Sequence, residues 1–165
     1  RMTAMPPRLG GMHIFHSYEA LRACVGQEVA VTGWRTITQE QINLFADATG
    51  DYQWIHVDVE RAAQGPFGVP IAHGFLSLSL LPWFFSQAVR IEGETMAINY
   101  GLNKVRFPAP VPVNSRVRAR VALQEVQTVE GGGVQITWQV TVEREGGDKP
   151  VCVAESLSRS YGAPL

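Results

Sequence analysis

From Thr95 onward the sequence alternates apolar and polar residues, and this limits the fold more than any other feature. Residues 115–129 contain V-R-A-R-V-A-L-Q-E-V, residues 134–144 read V-Q-I-T-W-Q-V-T-V-E-R, and residues 151–161 continue the rhythm. Successive side chains of a strand point to opposite faces, so each run predicts a strand with one apolar face. Glycines 131–133 and the E-G-G-D-K-P stretch supply hairpin turns. Two shorter strands are expected at 96–102 and 104–107, ahead of the P-A-P-V-P turn at 108–112. Together they predict an antiparallel meander, and its apolar face needs a cover.

Only one segment is apolar enough to provide that cover: I-A-H-G-F-L-S-L-S-L-L-P-W-F-F-S-Q-A-V at 71–89. It is apolar nearly all round, which predicts a helix buried on most sides. Pro82 should kink this helix or mark a handover between two. Ser77, Ser79 and Ser86 are read as bonded to carbonyls one turn back. Earlier in the chain, 18–24 reads as a helical turn, 28–34 as a strand and 57–63 as a short helix. The fold class is therefore α+β, a long antiparallel sheet wrapped around a central apolar helix. One domain is expected over 17–165, with a loose segment at 1–16.

Composition narrows the function. Lys plus Arg (14) nearly balances Asp plus Glu (15), so no broad field selects nucleic acid or an anionic membrane. No apolar run is long enough for a membrane span. The first residues carry no apolar stretch of the secretory kind, so a cytoplasmic protein is expected. Cys24 and Cys152 match no metal-ligand spacing and are read as two buried thiols.

The chemistry concentrates at 38–56, a stretch reading T-Q-E-Q-I-N-L-F-A-D-A-T-G-D-Y-Q-W-I-H. Thr38 and Gln41 form a capping-box pattern. Ile42, Phe45 and Ala46 give one apolar face, and Gly50 can end the helix in the left-handed conformation. Asp51 and His56 then fall on a loop, where chemistry is often carried by residues on a rigid scaffold. Asp51 also suits an Asx turn or a helix cap, and His56 a satisfied half-buried imidazole.

The segment F-A-D-A-T-G-D-Y-Q-W-I-H resembles the hydratase motif of the MaoC-like (R)-specific enoyl-CoA hydratases and dehydratases, which have the hot-dog fold. Asp51, Ile55 and His56 fit that motif, while Gln53 and Trp54 stand where the family has Asn and Pro. P-I-A-H-G-F-L at 70–76 and N-Y-G-L-N-K-V-R-F-P-A-P-V at 99–111 resemble two further signatures of the family. Three such motifs in order, spread over 34–161, make the resemblance specific.

The resemblance implies reversible addition of water to a trans-2-enoyl thioester, giving a (3R)-hydroxyacyl thioester. That reaction needs a base for water, a proton for C2 and a donor for the thioester oxygen. Asp51 and His56 are expected to hold one water between them. His56 would take its proton, while Asp51 orients it and passes a proton to C2. Which of the two is acid and which base stays open, since protons in a coupled pair belong to the pair.

The Gly74 N–H, at the head of the apolar helix, is the expected oxyanion donor; its alternative role is close packing. Gln53, Trp54 and His73 are candidate substrate contacts, each with a structural alternative. Lys104 and Arg106 are the leading candidates for the thioester's phosphates, ahead of Arg116, Arg118 and Arg120 on alternating strands. The acyl group would arrive on coenzyme A or a carrier protein, no cofactor or metal is expected, and a homodimer is. A hot-dog thioesterase and a non-catalytic acyl-thioester-binding subunit are the competing readings.

Overall fold

The alternating runs become three long strands of one sheet in the computed structural model, which describes residues 8–165. Strands β1 (Arg8–Leu9), β2 (His13–Phe15), β3 (Glu28–Val31) and β4 (Arg35–Thr36) precede the helical half. Helix α1 (Tyr18–Arg22) lies between β2 and β3, and the helical half holds α2 (Gln39–Thr49), α3 (Trp54–Val57), α4 (Val59–Ala63), α5 (Gly74–Ser79) and α6 (Leu81–Ala88). Strands β5 (Val89–Ile91), β6 (Met96–Arg106), β7 (Arg116–Thr128), β8 (Val134–Arg144) and β9 (Cys152–Tyr161) complete the chain.

The main sheet runs β1-β3-β7-β8-β9-β6, with β4 continuing along β7. From β3 onward every pairing is antiparallel, while β1 lies parallel to β3. Val117, Ala119, Val121 and Leu123 of β7 share a buried face with Val134, Ile136, Trp138, Val140 and Val142 of β8. Burying a side chain of this size contributes about 1.5–3 kcal/mol. Leu76, Leu81, Phe84 and Ala88 of α5 and α6 close over that face.

Pro82 marks a handover, not a kink. The central segment is two helices meeting at Leu80, with the proline in the first turn of α6, where its missing N–H costs no bond. These helices are also less enclosed than their composition suggests: Phe75 is exposed and Leu78, Trp83 and Phe85 are half-buried. Of the three serines expected to bond to carbonyls four residues back, Ser86 donates instead to the Trp83 carbonyl, three residues back, at 2.6 Å.

Three further expectations change. The strands expected at 96–102 and 104–107 are one, β6, whose pairing with β9 absorbs two register shifts. The stretch expected to be loose at 1–16 lies outside the described residues at 1–7, but 8–16 is built into the domain. There β2 pairs with β5, His13 Nδ1 donates to the Val29 carbonyl at 3.0 Å, and Phe15 is buried. His56 sits on α3, one turn of helix, where irregular backbone was expected.

Both cysteines are free thiols; Cys152 is fully buried, and burial pushes its thiol up to about 11. Among the described residues no helix is long and apolar enough to cross a membrane.

Candidate active site

Local capping fixes the approach to the site. Thr38 Oγ1 accepts from the Gln41 N–H at 3.2 Å, starting α2. Gly50, at φ 81°, stops it in the left-handed conformation. Asp51 follows on exposed chain, its Oδ1 accepting from the Gln53 N–H at 3.3 Å in an Asx turn. Gln53 begins α3 with no side-chain cap, and Asp58 accepts from the Arg61 N–H at 3.0 Å to start α4. Asp51 is therefore free of capping duty.

His56 is buried and firmly held. Its Nδ1–H donates to the Ile71 carbonyl at 2.6 Å, while the Gln39 amide donates to the His56 carbonyl at 2.8 Å. A carbonyl only accepts, so the proton sits on Nδ1 and leaves Nε2 as the basic nitrogen. Burial lowers the imidazole below its ordinary value. The Ile71 hydrogen bond and Asp51 raise it in part, His73 lowers it further, and the net shift is downward. His56 is thus a neutral base near pH 7.

Donor atoms of Asp51, His56 and His73 lie within 4.8 Å of one another. Two hydrogen bonds of about 2.8 Å meeting at one water at the tetrahedral angle span about 4.6 Å. A carboxylate oxygen of Asp51 and a ring nitrogen of His56 are thus no farther apart than about one bridging water. The two imidazole rings stack 3.9 Å apart and 25° from parallel. Each ring donates from one nitrogen to a carbonyl oxygen, which leaves His56 Nε2 and His73 Nδ1 unprotonated.

His56 lines a cleft of about 320 Å³ with Gly74, Ser77, Phe107, Ala72 and Val111. Gly74 is the first residue of α5, and its N–H has no acceptor among the described residues. A Cβ at Gly74 would come within 2.9 Å of the Phe107 ring. The bare position therefore serves close packing and leaves an amide hydrogen beside the cleft.

The family model described as MaoC like domain matches residues 21–145, most of the chain. The chain belongs to the MaoC-like family. A relative named 3-hydroxyacyl-thioester dehydratase Z, from Mycobacterium tuberculosis, is 60% identical over 148 residues, which cover 90% of this chain and 98% of the other. A solved structure described as a monoamine oxidase regulatory protein from Archaeoglobus fulgius superimposes with TM-score 0.74 at 25% identity, covering 93% and 99% of the two chains. The (R)-hydratase PhaJ1 of Pseudomonas aeruginosa gives 0.66 at 25% identity, covering 92% and 88%. The sheet around its two-piece helix is the hot-dog fold.

The other candidate residues of this MaoC-like domain are spread more widely. His73 is buried and absent from the cleft wall; its Nε2–H donates to the Asp51 carbonyl at 3.0 Å. Trp54 packs on Gly65 and under the Arg61 guanidinium, 4.4 Å from its ring, and Gln53 is exposed at the loop. Both residues, like Asp51, are absent from the cleft lining.

Lys104 and Arg106 are exposed on β6, and Arg106 immediately precedes Phe107 of the cleft. Arg116, Arg118 and Arg120 pair with Glu145, Glu143 and Glu28, as a solvated strand face does. Sequence reasoning missed Ser77 as a cleft residue, Phe107 as the ring over Gly74 and Gln39 as an anchor of α3. A polar residue inside the apolar run marked Ser77; nothing marked the other two.

Proposed function

We propose that the chain is a hydro-lyase that interconverts a trans-2-enoyl thioester and its (3R)-hydroxyacyl form, with Asp51 and His56 as the proton-handling pair. The closeness of these two groups, with His56 lining the cleft, carries the reading. Water held between them loses a proton to His56 Nε2 as its oxygen bonds to C3. Charge builds on the thioester oxygen, where the Gly74 N–H stabilises it; one such donor is typically worth about 3–4 kcal/mol of barrier. C2 then takes a proton from the pair, and the site returns to its starting protonation. No cofactor enters this scheme.

Coenzyme A or an acyl-carrier protein delivers the acyl group, with Lys104 and Arg106 in reach of its phosphates by their place beside the cleft strand. The working unit is a homodimer in the cytoplasm. What supports the dimer is β6: it ends the sheet, and Met96, Ile98, Tyr100 and Leu102 are exposed along it. An unpaired edge of 11 residues with that many apolar side chains calls for a partner strand. Loss of enoyl absorbance from crotonyl-CoA tests the activity, followed over a series of chain lengths. Release of free thiol without hydration would instead make the protein a thioesterase, and neither signal would make it a binding subunit.

A further inference from the structure

We propose that His73 is a positioning residue of the hydration site, a clamp that holds the Asp51 main chain and braces the His56 ring. The inference deepens the hydratase reading and rests on it.

Segment 71–73 makes three links to the catalytic loop. The Ile71 N–H donates to the Ile55 carbonyl at 3.0 Å, and the Ile71 carbonyl accepts from His56 Nδ1. The third link is His73 Nε2–H to the Asp51 carbonyl at 3.0 Å. Only this one reaches Asp51, across 22 residues of sequence. The carboxylate itself is exposed and held by a single 3.3 Å turn bond, so its main chain is what can be fixed.

The imidazole is gripped on two sides. Phe45 of α2 packs against it at 4.9 Å between centroids, and His56 stacks on it at 3.9 Å. A displaced His73 therefore moves both members of the water-holding pair. Its Nδ1 is buried without a hydrogen-bond partner. An apolar side chain would fill the same space without that unmet acceptor, so packing alone does not account for a histidine here. The Nε2–H bond to Asp51 does.

The charged or titratable groups acting on His56 are Asp51, from the loop before α3, and His73, from the head of α5; Gln39 of α2 contributes only a neutral amide. Asp51 raises the affinity of His56 for a proton and His73 lowers it. Removing the second imidazole therefore moves the acid limb of kcat/KM to higher pH.

Two variants test the proposal on the full chain with crotonyl-CoA. His73→Leu keeps apolar volume without the donor, while His73→Gln places an amide N–H near the position of Nε2. His73→Leu should lose about 10- to 100-fold in kcat with KM nearly unchanged, the scale of a small misplacement of reacting groups. His73→Gln should recover most of that loss and show the acid limb shifted upward. Wild-type kcat and an unshifted limb in both variants would overturn the proposal. So would equal loss in both with a matching fall in melting temperature, which is the mark of packing. Absence of hydration by the unmodified chain would instead sink the parent reading, a separable result.

Discussion

Replacing Asp51 with asparagine separates chemistry from architecture at this site. The side chain is exposed, and its one bond is the 3.3 Å contact from the Gln53 N–H, which an asparagine oxygen also accepts. No cap, ion pair or apolar contact is lost, so stability should change by less than about 0.5 kcal/mol. The catalytic loss should be large. An acid–base group contributes about 10²- to 10⁴-fold, equivalent to about 2.7–5.4 kcal/mol of barrier.

The residual activity of Asp51→Asn carries a second signature. Asp51 raises the proton affinity of His56, which must be neutral to accept a proton from water. Without the carboxylate, His56 stays neutral to lower pH, and the acid limb of kcat/KM shifts downward. That is opposite to the shift expected on replacing His73. Crotonyl-CoA hydration from pH 5 to 9, with thermal melts of both proteins, measures all three quantities. A hydration rate equal to the unmodified protein's, or an acid limb moving upward, would refute the reasoning.

Gly50→Ala should cost about 1 kcal/mol through backbone conformation alone, because its φ is 81° and an added Cβ would meet nothing within 4 Å; an unchanged melting temperature would contradict this. Glu143 is pushed up by burial, but hydrogen bonds from Arg118 and Arg120 outweigh that and hold its carboxyl below the usual range. Its stabilisation is full above the unfolded carboxylate's pKa and fades as pH falls through the folded value. Glu143→Gln should therefore lower the melting temperature by about 3 °C near pH 7, for about 1 kcal/mol, with the gap closing in acid. Ile98→Lys combined with Leu102→Lys should turn a dimer into a monomer by analytical ultracentrifugation, and a monomeric unmodified protein would remove the case for β6 pairing.

Local signals were legible in the sequence and distant ones were not. Thr38, Gly50 and Pro82 each act within one helical turn, so residue type alone foretold the start and end of α2 and an interruption at α6. The alternation of β7 and β8 announced their buried faces for the same reason. Asp51 and His56 could be singled out because their motif is contiguous, and the structure brings them close together. The clamp from His73 escaped notice because it ends on a main-chain carbonyl, which has no sequence identity. Phe107 over Gly74 depends on β6 passing the head of α5, a tertiary event. β2 was missed because three residues show no period, and its strand partner β5 lies across most of the helical half. Register shifts along β6 hid its continuity, as each breaks the alternation that defines a strand.

Cys152 sits where β9 pairs with Val142 of β8, sealed from solvent with its thiol pushed up to about 11. The thiolate is the form that attacks an alkylating reagent, so this sulfur stays unreactive until the strands part. Its labelling rate then times rare openings of the sheet centre, and half-buried Cys24 supplies a second timer at the margin. The chain thus carries its own pair of stopwatches for unfolding, with no reporter group to install.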